Sequence, residues 1–482
     1  MSHLRQHSSK GQSDFLPLQT VRDRNNYHWF VVGTVCVGAF MAALDASIIN
    51  IALPVLKKQF SVRMHIVEWV SLVYLLTLAG LIVPFGRIAD IMGRRWMYTL
   101  GFTVFIIGSL LCGLSFSLSF LLVSRVIQAV GAAMLQANSV SIVTAATPAS
   151  DRGKAIGIQA SAQGIGLSLG PAIGGLLLSF SSWHWIFYVN VPIGIIGTTL
   201  GVLFLPKDKK APQRERFDYL GAVILSPSLV ALLYFLNMGF KEGWSSPRVV
   251  GSYFLFALGM ISFLWVERKS EYPMVDLSLF KKRIFALGSI TGVLSFAVMY
   301  AILLLTPFYL DNVQAMSPLV SGMYLTIIPI GMTLFTPIAG IVADRYGTRI
   351  PAVIGMLAAC TGCLSLSFMN AQGALPFLVP GLFLVGAGVG LFTPPNNSSV
   401  MGSVASNRLG IAGGILNMSR TLGMGLGITI GGLSYQLFLS MTGSMDENAA
   451  MIQHMILAFR WSFIAIACIA ACTLLIAAVR HK

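Results

Sequence analysis

From Trp29 onward the sequence is divided into about fourteen apolar runs, each near twenty residues long and almost free of charge. A helix rises about 1.5 Å per residue, so each run matches the ~30 Å hydrocarbon layer of a bilayer. The run centres fall near Gly38, Ala79, Ile107, Gly131, Gly166, Ile195, Leu229, Leu258, Val298, Ile328, Ala358, Leu384, Gly423 and Ala467. Only 10% of the residues are charged and 56% are hydrophobic; soluble domains carry about 25% charged residues. A chain built this way is a polytopic membrane protein whose partners begin with the lipid bilayer itself.

An even number of spans puts both termini on one side, and the basic residues say which. About 24 of the 32 Lys and Arg residues fall in the tails and loops of the terminal side, against about five (Lys57, Lys58, Arg63, Lys241, Arg248) opposite. That asymmetry predicts a plasma-membrane protein, in a bacterium the inner membrane, with cytoplasmic termini. The formal charge of +15 is thereby assigned to topology, and no nucleic-acid partner is expected. The polar stretch 1–28 reads as a cytoplasmic tail with no cleavable leader. All six cysteines lie inside spans; the pair in "CTGC" at Cys360 reads as helix packing, and no metal site is expected.

Two loops repeat one pattern. "GRIADIMGRR" (Gly86–Arg95) follows the second run and "GIVADRYGTR" (Gly340–Arg349) the tenth. Eight spans separate them, as in two six-span halves with two spans inserted between. The boundaries that follow are 29–206 for the first half, 207–284 for the inserted pair with its flanking loops, and 285–482 for the second half. Internal duplication marks secondary transporters, with the site between the halves near mid-membrane. Gly86, Asp90, Gly93 and Arg94, with Gly340, Asp344, Gly347 and Arg349, form a candidate conformational motif: glycines for tight turns, aspartates against helix N-termini, arginines against headgroups or the aspartates.

The fifth run, "GIQASAQGIGLSLGPAIGGL" (Gly157–Leu176), is built from helix breakers. Gly166, Gly170 and Gly174 are four apart and share a helical stripe, which lets two membrane helices approach closely. Pro171 bends the helix. The expectation is that this stripe, with Gly157 and Gly175, packs against a helix of the opposite half as a pivot and leak seal.

Ionisable side chains deep in a membrane are costly and mark function. Asp45 lies roughly 24 Å from the cytoplasmic face and Arg125 roughly 21 Å, so the two are a candidate proton-coupling pair. A carboxyl whose cationic neighbour changes during a cycle can bind and release a proton. Arg420 sits near mid-depth without an acidic partner in its own run; Asp311, Arg460 and His184 read as interfacial. Gln128, Asn138, Gln159, Gln163, Asn396, Asn417 and Arg420 are candidate cavity residues, for which helix-to-helix hydrogen bonding is an equal account. Trp69, Tyr74, Tyr300 and Tyr324 could offer apolar contacts to substrate, though plain packing explains them as well. No GxxxxGK, HExxH or strand-borne GxSxG motif is present, so neither an ATP-driven pump nor an enzyme is expected.

These residues carry a family resemblance. "LDASIINIALP" (Leu44–Pro54), the Gly86–Arg95 loop, "RVIQAVGAAML" (Arg125–Leu135), the glycine–proline run and "WHWIFYVNVPIG" (Trp183–Gly194) occur in the order seen in the fourteen-helix drug:proton antiporter branch of the major facilitator superfamily. The chain resembles that branch over nearly its whole length, departing at Ala129 and His184, where Gly and Arg are usual. The resemblance implies an all-α integral membrane protein of fourteen transmembrane helices, two six-helix half-repeats with two helices between them. It implies a proton-coupled exporter of lipophilic small molecules such as drugs, dyes or disinfectants, with the proton gradient as energy source and no cofactor. A dedicated metabolite or nutrient transporter is the alternative. Some members of the branch work with a periplasmic adaptor and an outer-membrane channel; no residue here points to either.

Overall fold

The computed structural model describes residues 26–148, 151–206, 219–269, 277–370, 375–404, 409–441 and 448–479. Among them no strand occurs, and fourteen long helices follow one another. The first half contains α1 (Tyr27–Gln59), α2 (Trp69–Met92), α3 (Arg94–Gly113), α4 (Leu118–Ala146), α5 (Arg152–Phe180) and α6 (Asn190–Phe204). The inserted pair is α7 (Tyr219–Glu242) and α8 (Pro247–Lys269). The second half contains α9 (Arg283–Asn312), α10 (Ile327–Tyr346), α11 (Arg349–Ser367), α12 (Leu375–Gly402), α13 (Leu409–Met441) and α14 (Asn448–Val479). Short helices Met64–Val67, Trp185–Tyr188 and Pro318–Leu325 lead into α2, α6 and α10. Thirteen helices are long and apolar enough to span a membrane; α7 is the remaining long helix.

Helix interiors carry Pro54, Pro84, Pro171, Pro227, Pro307, Pro337, Pro380, Pro394 and Pro395. Such prolines persist in membrane helices because neighbouring helices can satisfy the freed carbonyls. The most buried helices are α1 and α9, at 78% and 89% of their apolar windows. They stand at the centre of their halves. By contrast α8 buries 17% of its window and turns Phe254, Leu258, Ile261 and Trp265 outward, as a lipid-facing helix does. Its partner α7 packs on α2 and α13, so the inserted pair flanks the seam between halves.

The repeated loops show why glycine recurs in them. Gly93 and Gly347 take φ of 109° and 82°, a region costly for residues with a Cβ. Each ends a helix, its N–H donating to Ala89 O at 2.8 Å and Ala343 O at 2.9 Å. Gly86 and Gly340 differ: both lie inside helices with open space where a side chain would go. The expectation of a turn there is corrected; only the second glycine of each motif turns the chain. The side chains of Asp90 and Asp344 lie outside the described residues, as do the surroundings of Gly157 on α5. Arg94 opens α3 half-buried, and Arg349 opens α11 exposed.

The glycine stripe of α5 packs, but on a different partner. Side chains at Gly166, Gly170 or Gly174 would run into Phe40 O, Ser47 Oγ with Ile48 N, and Ile51 with Ile48, all on α1 of the same half. Contact with the opposite half comes from the next face. Gly175 meets Pro318 O and Leu319, and Gly322 lies directly on Pro171 O. The stripe therefore fixes α5 to α1, while Pro171 and Gly175 form the joint with the short helix before α10.

On the face away from the termini the halves touch. Lys58 Nζ of α1 meets Asp311 Oδ1 of α9 at 2.6 Å, and Lys57 lies 5.9 Å over the Phe308 ring. Asp311 thus has an ion-pair partner across the halves, where lone snorkelling was the expectation. Lys58 is 66% exposed, and pairs of that kind contribute about 0–1 kcal/mol. Lys58→Gln should leave the initial transport rate within about two-fold of wild type. A ten-fold change, measured in liposomes, would make this tie the principal lock of that face.

Candidate functional site

Near the midpoint of the 33-residue α1 the helix carries a fully buried carboxylate. Arg125 Nη1, from α4, donates to Asp45 Oδ2 at 2.7 Å and to Gln128 Oε1 at 2.7 Å. Gln128 Nε2 donates to Asp45 Oδ1 at 2.8 Å and to Ser109 Oγ of α3 at 2.8 Å. Asn190 Nδ2, at the start of α6, donates to Asp45 Oδ1 at 3.0 Å. Arg125 Nε donates to Val70 O of α2 at 3.0 Å, and the guanidinium lies 4.2 Å from the Tyr74 ring centroid. Five helices of one half thus converge on one ion pair. Side-chain exposure is 0% for Arg125 and 1% for Asp45.

A bare carboxylate in this environment would be very costly. Asp45 is met by one cation and two amide donors, each oxygen accepting at least one hydrogen bond. The pair is two-sided: breaking it leaves an uncompensated buried charge, a penalty of about 3–5 kcal/mol. Neutralising Asp45 weakens the tie to α4 and leaves the Arg125 guanidinium to its neutral acceptors, Gln128 Oε1 and Val70 O. The pair thus ties α1 to α4 through a carboxyl, a group that can bind and release a proton. Arg125 works as a fork, engaging three acceptors from one plane. Arg125→Lys offers a point charge in its place and should lower gradient-driven transport about ten-fold or more. Wild-type rates in this variant would show that charge alone suffices.

Two cavities lie in the halves of the helices nearer the termini, the basic side. The larger, about 530 Å³, is lined by α5, α9, α10, α12 and α13. It includes Gln163, Phe296, Thr333, Phe392, Asn396, Asn397, Asn417 and Arg420. The smaller, about 40 Å³, reaches Gly38 and Ala39 of α1 and Gln136, Gln159 and Gln163. Arg420, Gln163 and Asn417 belong to both, forming the wall between them. Arg420 Nη1 donates to Gln163 Oε1 at 2.9 Å and Nη2 to Gln136 Oε1 at 3.1 Å, bonds that cross from one half to the other. From Gly38 to Asp45 is about 10 Å along α1. Both cavities thus lie on the basic side, away from the Lys58–Asp311 contact.

The expected cavity residues divide. Gln159, Gln163, Asn396, Asn417 and Arg420 line the cavities. Gln128 does not; its amide belongs to the Asp45–Arg125 network. Asn138 is buried with its amide donating to Met134 O at 2.8 Å, on its own helix. Tyr74 lies under Arg125, and Trp69, Tyr300 and Tyr324 line neither cavity. The aromatic lining comes from Phe296 and Phe392. Arg460 is exposed, and His184 stacks on Trp183 with ring centroids 3.8 Å apart.

Sequence reasoning missed Ser109, Asn190 and Glu68. Asn190 lies inside the "FYVNVPIG" signature, a lone amide in an apolar run, which was the available signal. Glu68 is fully buried where Met64–Val67 meets α2, its carboxylate packed against Gly432 of α13. It lies about eleven residues before the run centre at Ala79, at the very edge of a twenty-residue span.

The Major Facilitator Superfamily family model matches residues 35–428 and, in a second alignment, 287–481. The chain is 37% identical to the riboflavin transporter RibZ of Clostridioides difficile over 402 residues, 83% of this chain and 86% of that one. It is 35% identical to the multidrug resistance protein Stp of Mycobacterium tuberculosis over 407 residues, 84% and 75% of the two chains. Among solved structures, a bacterial homologue of the human lysosomal transporter Spinster, inward-facing and unoccupied, superposes with a TM-score of 0.67 at 17% identity, covering 95% of this chain and 97% of that one.

Proposed function

The chain belongs to the major facilitator superfamily, and on that premise we propose that it is a proton-driven exporter of lipophilic small molecules working by alternating access. It is a multi-pass membrane transporter rather than an enzyme. The observation that carries the proton-driven reading is the Asp45–Arg125 pair, wholly buried beneath a cavity that has no carboxylate among its described lining residues. Substrate enters on the basic side, which the distribution of Lys and Arg makes cytoplasmic. Rocking of the halves about the α5 joint then opens the opposite face. Asp45 takes up a proton there, parts from Arg125, and releases the proton when the pair re-forms.

Multidrug resistance relatives support the substrate class. The riboflavin transporter relative supports a second reading, a dedicated carrier of a single metabolite. One experiment separates them. Purified protein in liposomes with an imposed pH gradient is offered riboflavin and unrelated dyes of negative, zero and positive charge in turn. Gradient-dependent accumulation of several unrelated dyes is the expected result. Transport of riboflavin alone would favour the dedicated carrier, and transport indifferent to the gradient would remove proton coupling.

A further inference from the structure

The charge inventory of the large cavity is one-sided. Among its described lining residues Arg420 is the single charged group, and no carboxylate stands with it. Amides, hydroxyls and the rings of Phe296 and Phe392 make up the rest. The guanidinium is half-buried, and its hydrogen-bond partners are two neutral amide oxygens, Gln163 Oε1 and Gln136 Oε1. Its Nε is buried with no acceptor. The other deep cation, Arg125, already has a carboxylate.

A guanidinium in a low-dielectric site without a counter-ion is a standing cost. It is kept where something anionic arrives to repay it. We propose that Arg420 is the specificity-determining residue of the cavity and that the transported class is amphipathic organic anions, an aromatic or apolar body bearing a carboxylate or similar group. This proposal rests on the transport reading above and names its substrate class. The amide oxygens of Gln163 and Gln136 act as weaker acceptors holding the empty guanidinium in place. An incoming carboxylate displaces one of these amide oxygens and forms charge-assisted bonds stronger than those it replaces. Phe296 and Phe392 cover the apolar body. A lipophilic cation meets the opposite situation, one positive charge and no carboxylate.

The test is equilibrium binding of matched fluorescent probes to the full-length protein in nanodiscs without a pH gradient. Failure of proton coupling therefore leaves this readout untouched, and failure of this readout leaves the coupling untouched. The probes are 7-methoxycoumarin-3-carboxylate, its neutral carboxamide, and ethidium. Wild type should bind the carboxylate about ten-fold or more tightly than the other two, the scale of a charge-assisted hydrogen bond. Arg420→Gln should bring carboxylate and carboxamide to within about three-fold of each other, while Arg420→Lys, keeping charge without the fork, should fall between. Thermal unfolding followed by tryptophan fluorescence verifies that each variant is folded, and the carboxylate should raise the wild-type midpoint more than that of Arg420→Gln. The proposal is overturned if wild type shows no saturable carboxylate binding, if it does not discriminate against the carboxamide, if ethidium binds more tightly, or if the preference survives in Arg420→Gln.

Discussion

Asp45→Asn should abolish gradient-driven accumulation of substrate while downhill exchange persists. The substitution is nearly isosteric and removes a buried negative charge, so α1 has no added cost of insertion. Gln128 Nε2 and Asn190 Nδ2 can still donate to the amide oxygen at 45, on the side where they now meet Asp45 Oδ1. Arg125 keeps Gln128 Oε1 and Val70 O. What disappears is the group able to carry a proton between faces. Accumulation against a gradient should fall at least about a hundred-fold, and exchange between equal pH compartments should stay within about ten-fold of wild type. Leaving Arg125 without its counter-charge carries a penalty of about 3–5 kcal/mol, so stability is compared in the same samples by thermal unfolding. Full pH-driven accumulation by Asp45→Asn would move the proton site elsewhere, and Glu68, buried against Gly432, would be the next candidate.

Gly170→Leu should cost as much transport by a purely geometric route. Even a Cβ at 170 would overlap Ser47 Oγ and press on Ile48 N. Those residues lie two and three positions from Asp45 on the same helix. A leucine side chain would push α1 away from α5 and strain the Asp45 network. Overpacking of this kind typically costs about 1–3 kcal/mol, tolerable for a 482-residue chain but not for a contact that holds the Asp45 helix and the adjoining Pro171 joint in register. Transport should drop about a hundred-fold with the protein still inserted in the membrane. A milder pair tests the geometry itself. Gly170→Ala alone should be impaired, and adding Ser47→Gly, which clears the nearest atom, should restore part of the activity. Equal activity of Gly170→Ala with and without Ser47→Gly would show that the Ser47 contact does not limit movement.

Fold class was legible in the sequence because it rests on one-dimensional quantities: run length, charge count and the repeated loop. Depth is also one-dimensional, which is why Asp45 and Arg125 could be placed at the same level. Direction around a helix is not. Gln128 and Asn138 lie ten residues apart on α4, yet one joins the ion-pair network and the other bonds its own backbone. Spacing revealed the Gly166, Gly170 and Gly174 stripe but could not name the helix across from it, and the opposite half is met by Pro171 and Gly175 instead. Ser109 and Asn190 escaped notice because isolated polar residues in apolar runs acquire meaning only when other helices converge on them. Tyr74 shows the reverse: an aromatic that could have lined a cavity is claimed by the Arg125 guanidinium.

A carboxyl that exchanges protons against substrate ties the two fluxes together in opposite directions. The most direct measurement follows pH inside liposomes, with a trapped indicator, while substrate runs down its own gradient through the purified protein with no pH gradient imposed. Wild type should move protons opposite to substrate, at a rate proportional to substrate flux, and Asp45→Asn should pass substrate with no proton signal. Proton movement in the same direction as substrate would make the protein a symporter, and an undiminished signal from Asp45→Asn would remove Asp45 as the proton site.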